Sequence, residues 1–68
     1  MSVAKVSEIT ASSSKSFEDA IQSGISRATK TLDKVQGAWI KDQEVGVDDD
    51  GKIIEYRVRM KVTFILKD

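Results

Sequence analysis

The sequence predicts an α+β domain of order β-α-β-β, a three-stranded antiparallel sheet wrapped on one amphipathic helix. Three observations predict it. From Ile53 to Leu66, the residues Ile54, Tyr56, Val58, Met60, Val62, Phe64 and Leu66 take every second position, with Glu55, Arg57, Arg59, Lys61, Thr63 and Ile65 between them. That is the period of a strand with one apolar and one mostly charged side. Earlier in the chain, Phe17, Ala20, Ile21, Gly24, Ile25, Ala28, Leu32 and Val35 step by three and four, the single stripe of an amphipathic helix. Asp50-Gly51 then separates two strand-like stretches and is a strong hairpin signal.

The elements follow in order. Val3 to Thr10 reads as a first strand, with Val3, Lys5, Ser7 and Ile9 alternating against Ala4, Val6 and Glu8. The break Ala11-Ser12-Ser13-Ser14 precedes the helix, and Ser13 or Ser14 is expected to cap it by accepting from an early backbone N–H. The helix is expected to run about 20 residues, which is roughly 30 Å. Glu18 and Asp19 near its start and Lys30 and Lys34 near its end suit the helix dipole. Gly24 costs up to about 1 kcal/mol of helix propensity, so close approach to the sheet is its expected reason. Ala38 to Val47 reads as a second strand, with Gly37, Trp39 and Lys41 on one face and Ala38 and Ile40 on the other. Beyond Asp42 the apolar positions change parity to Val45 and Val47, which predicts a bulge or an exposed end. The last strand, about 14 residues and roughly 45 Å long, exceeds what one helix can cover. Its distal part around Phe64 and Leu66 is expected to be covered by another copy of the chain.

Composition narrows the function. Residues 1–68 read as a single domain near the lower size limit of a self-sufficient core. The absence of cysteine excludes disulfides and thiol chemistry, and the absence of histidine removes the usual general base and metal ligand. Oligomerisation is the remaining stabiliser. Eleven basic and eleven acidic residues cancel and the pI is about 6.2, so nothing points to nucleic acid. No apolar run approaches a membrane span. A soluble, cytoplasmic protein is expected, with no membrane partner.

Two constellations invite a chemical reading. Taking Gly51 as the sixth position of a calcium loop places Asp48 and Asp50 correctly, but the first and twelfth positions are Gly46 and Arg57. The turn reading is therefore preferred, with a cation site shared between copies left open and its metal ligands unassigned. Arg57, Arg59 and Lys61 form a basic row on the polar side of the last strand, beside Trp39 and Lys41 of its neighbour. Such a group suits a planar or anionic ligand, and equally an oligomer contact, where tryptophan and arginine are enriched. No residue has the partners that nucleophilic or acid–base catalysis needs, so no enzyme activity is expected.

Ser16-Phe17-Glu18-Asp19-Ala20-Ile21, then Arg27-Ala28 and Thr31-Leu32, then Tyr56-Arg57-Val58 through Lys61-Val62-Thr63-Phe64, together resemble the dodecin family over almost the whole chain. The resemblance implies a hollow homododecamer of 23 symmetry that binds and stores a small molecule without catalysis. In the flavin-binding members, riboflavin-type flavins (riboflavin or FMN) stack on a tryptophan near the start of the second strand, and a glutamine follows the last-strand tyrosine. Here those positions are Gly37 and Arg57, with Trp39 two residues on and on the same face. The resemblance thus implies Gly37, Trp39 and Arg57 as ligand-facing residues. Arg57, with Val47-Asp48 and Gly51-Lys52-Ile53, also resembles a second group that lacks the flavin tryptophan and includes calcium-binding members. Flavin sequestration is the first reading; a shell that binds calcium or another cation, or a purely structural assembly, is the alternative.

Overall fold

The computed structural model describes residues 3–66. Strand β1 spans Ala4–Ser13, helix α1 Phe17–Ala28, strand β2 Val35–Val47 and strand β3 Ile53–Ile65. The sheet order is β1-β3-β2, antiparallel throughout, so the strand with the cleanest alternation lies in the middle. A central strand is flanked on both edges and needs one fully apolar side, and β3 meets that demand: Val58, Met60 and Val62 are wholly buried. With Ala20 they form the core, against which Ile9, Ala11, Phe17, Ile21, Ile25, Leu32 and Val35 pack.

The helix begins with its apolar stripe at Phe17 but ends at Ala28, before the stripe does. Its cap is Ser16, whose hydroxyl accepts from the Asp19 backbone N–H at 2.9 Å. Ser13, expected as a possible cap, instead organises the approach: its Oγ accepts from Lys15 N–H at 2.9 Å and donates to the Asp19 carboxylate at 2.6 Å. The helix has 12 residues rather than about 20. Beyond Ala28 the N–H of Lys30 and Thr31 bond three residues back, to Arg27 and Ala28. The hydroxyls of Thr29 and Thr31 compete for the carbonyls of Ser26 and Ala28, at 2.8 and 3.4 Å. Lys34 then takes a left-handed conformation, φ 54°, and turns the chain into β2. Leu32 and Val35 still reach the core, so the stripe reports burial correctly but overstates helix length.

Gly24 is buried where α1 crosses the sheet. A Cβ there would lie 2.6 Å from the Met60 Cε and 3.0 Å from the Ala11 Cβ, so the absent side chain sets how closely helix and sheet approach. The hairpin between β2 and β3 is closed by the Gly51 N–H donating to Asp48 C=O at 3.0 Å and the Asp48 N–H to Lys52 C=O at 2.9 Å. Gly51 carries the positive φ of 80° that this three-residue loop requires.

The helix packs across β1 and β3, leaving β2 largely beyond it. With two strands of 13 residues the chain measures 53 × 19 × 14 Å, long for so few residues. On the helix side, Ile40 and Val45 of β2 are exposed, as is Ile54 at the hairpin end of β3. The uncovered apolar surface was expected around Phe64 and Leu66. Leu66 is indeed exposed, but Phe64 is half-buried, because the segment after the helix turns back beside it and Lys34 C=O accepts from the Ile65 N–H at 3.1 Å. The larger bare strip runs along β2 and the hairpin end instead.

Candidate functional site: the open face of the sheet

Directly opposed residues of antiparallel strands put their side chains on the same side, so register defines the face turned away from the helix. Across it run the pairs Gly37 with Thr63, Trp39 with Lys61, Asp42 with Arg59 and Glu44 with Arg57. From β1 come Glu8 opposite Lys61, Thr10 opposite Arg59 and Ser12 opposite Arg57. A register shift between Ile40 and Asp42 resets the parity of β2, the irregularity expected there. Its consequence is electrostatic. The shift brings Asp42 and Glu44 onto the side that carries the arginines.

Arg57 Nη1 donates to Glu44 Oε1 at 2.9 Å, and its other terminal nitrogen pairs with Glu55. Arg59 bridges Asp42 at 2.7 Å and Glu44 at 2.5 Å. Hydrogen bonds from Arg57, then from Arg59, hold the Glu44 carboxyl below its ordinary range. The same pairings raise both arginines, Arg57 through Glu44 first and Arg59 through Asp42 first. The basic row is thus a neutralised ladder at its Arg57 and Arg59 rungs. These pairs are solvent-exposed and individually weak, and they act mainly to fix where charge stands on the face.

The Trp39 end differs. Trp39 is 51% exposed, and Lys61 Nζ stands 5.8 Å from its ring centroid. Nothing lies within 4 Å of where a Gly37 side chain would begin, so the surface beside the indole is open. The three residues expected to face a ligand share one side of the sheet. Arg57, however, is six residues along β3 from the Gly37 rung, about 20 Å at strand rise. Lys61, already expected in the basic row beside Trp39, is its direct cross-strand neighbour, a pairing that only the register reveals. On the opposite side of the sheet Phe17 packs edge-on against a half-buried Tyr56 at 5.1 Å, so the tyrosine ring faces the helix and not the open face.

The acidic turn is committed to its own backbone. Asp48 Oδ1 accepts from the N–H of Asp50 at 2.9 Å and of Lys52 at 3.0 Å. Among the described residues no group of three or more carboxylates could hold a metal ion within one chain. A hollow of about 420 Å³ follows the seam of α1 and β1 past Ser23, Gly24 and Arg27, away from the candidate residues. No described helix is long and apolar enough to cross a membrane.

These features define a small β-α-β-β protein whose candidate residues lie on an exposed sheet face. The dodecin family model matches residues 3–67, and the chain belongs to the dodecin family. It is 36% identical over 67 residues to a calcium dodecin of Mycobacterium tuberculosis, covering 98% of this chain and 93% of that protein. The fold matches a variant of the Thermus thermophilus dodecin with a TM-score of 0.92 at 31% identity, covering 100% of both chains. It also matches the dodecin of Streptomyces davaonensis, TM-score 0.92 at 30% identity over 98% of this chain and 97% of that one. The solved Mycobacterium tuberculosis calcium dodecin, described as calcium-chelating with a novel calcium-binding site, matches with a TM-score of 0.82 at 34% identity, over 96% and 91% of the two chains.

Proposed function

We propose that this chain assembles as a homododecamer of 23 symmetry and serves as a non-catalytic binding and storage shell in the cytoplasm. It sequesters a planar flavin-type molecule, riboflavin or FMN, at contacts between copies. The observation that carries the ligand reading is the exposed Trp39 ring beside the open space at Gly37. An indole half in water and free on one flank is a stacking plate for an aromatic ring of similar size. Gly37 gives the ring room and Trp39 supports it, while Arg57 stands at the far end of the same face. Assembly is supported separately by the bare apolar strip on the helix side, which a second copy would remove from water. Mixing the protein with riboflavin or FMN is expected to quench flavin fluorescence, and Trp39→Ala to abolish that quenching. No quenching at tens of micromolar protein rejects the flavin reading.

A second reading, calcium binding, is favoured by the 36% identity to a calcium dodecin. No carboxylate cluster sits within one chain among the described residues, so a calcium site here would draw oxygen ligands from more than one copy. Calorimetric titration with calcium, and assembly stability in chelator, distinguish this reading from the first.

A further inference from the structure

Charge on the open face is divided unevenly along its length. At one end Arg57 and Arg59 meet Asp42, Glu44 and Glu55, two positive groups against three negative. At the other end Lys41 and Lys61 stand with Glu8 around Trp39, two positive against one negative. The face as a whole is neutral but polarised along β3. Lys61 forms no ion pair among the described residues. Its register partner Glu8 gives its carboxylate to Lys41 at 3.4 Å, and Lys61 leans toward the indole instead.

We infer that Lys61 determines specificity at the Trp39 plate, and that the plate selects planar aromatic molecules carrying an anionic group over their neutral counterparts. The inference rests on the reading of Trp39 as a stacking plate and names the ligand class that plate takes. Arg57 lies four residues along β3 from Lys61, about 13 Å away. Its guanidinium already serves Glu44 and Glu55, and an anion arriving there meets a surplus carboxylate. An anion at Lys61 displaces no carboxylate. The lysine stem is long enough to swing from the ring to a group at the edge of a stacked ligand, so the cation can follow the ligand's charge.

FMN and riboflavin share one ring and differ by a phosphate, which makes them the probes. Flavin quenching titrations at low salt are expected to show FMN bound about fivefold more tightly than riboflavin, the effect of one partly screened charge pair. The gap should shrink as salt rises. Lys61→Met is expected to close the gap while leaving riboflavin affinity within about twofold, since stacking is retained. Lys61→Arg should keep the gap, and Lys30→Met, an exposed lysine after the helix and outside the sheet, should leave it unchanged. Equal affinities for the two flavins in the wild type overturn the inference even if Lys61→Met fails to fold. So does a gap that survives Lys61→Met or is lost in Lys30→Met. Riboflavin quenching without FMN preference overturns the role of Lys61 alone, whereas no quenching by either flavin overturns the stacking reading as well.

Discussion

Replacing Gly24 by alanine sets two effects of opposite sign against each other. Alanine is favoured over glycine within a helix by about 0.8–1.0 kcal/mol, so a helix judged alone would be stabilised. The new methyl, however, would lie 2.6 Å from the Met60 Cε and 3.0 Å from the Ala11 Cβ. The Met60 Cε ends a flexible side chain and can shift, so the Ala11 contact decides the sign. The Ala11 Cβ cannot move without its backbone. Overpacking of this kind costs about 1–3 kcal/mol, which exceeds the propensity gain, and a net loss of about 1 kcal/mol is expected. Urea denaturation followed by far-UV circular dichroism reads the change, at one fixed protein concentration because self-association feeds into apparent stability. Combining Gly24→Ala with Met60→Leu removes the closest clash, so the double variant should lose less than the two single losses added together. A Gly24→Ala protein more stable than the wild type by about 1 kcal/mol would show that helix propensity governs the position and refute the close-approach argument.

Three further outcomes follow from particular contacts. Ser16→Ala removes the hydroxyl that caps α1 and should cost about 1 kcal/mol in the same denaturation assay. Because the folded state lowers the Glu44 carboxyl, its contribution is complete above the ordinary value of 4.5 and is lost as pH falls through the lowered one. The stability difference between wild type and Glu44→Gln, read from denaturation midpoints, should therefore narrow as the buffer is taken from neutral into acid. Ile40→Glu with Val45→Glu places two charges on the bare apolar strip of β2. Size-exclusion chromatography with light scattering should then show smaller species, with little change in strand content because neither residue belongs to the buried core.

Much of this protein is visible in its side-chain periods, and the exceptions have physical causes. The strand Ile53–Ile65 and the Asp50-Gly51 hairpin follow directly from alternation and turn chemistry. Gly24, a poor helix former amid a regular stripe, already pointed to the close contact with Met60 and Ala11. The helix end did not show itself, because Leu32 and Val35 continue the apolar stripe while Thr29 and Thr31 draw carbonyls out of the helical pattern. The cap moved from the expected Ser13 or Ser14 to Ser16 because adjacent serines offer equivalent hydroxyls, and only the entry angle of the chain selects one. The open face was half visible. Trp39 and the basic residues of β3 fall on one side by parity, but the pairing of Arg57 and Arg59 depends on the shift after Ile40. Parity breaks can be seen in a sequence. Which residues they bring opposite each other requires the register.

The apolar surface exceeds what the chain's own helix covers, and the proposed closed shell of twelve copies is what would cover it. Native mass spectrometry of the purified protein, at micromolar concentration and neutral pH, decides whether the shell forms. A dominant species of twelve chains is expected, with no substantial population of single chains. A folded monomer as the main species would contradict it, and would leave Ile40, Val45 and Ile54 exposed with no copy to cover them.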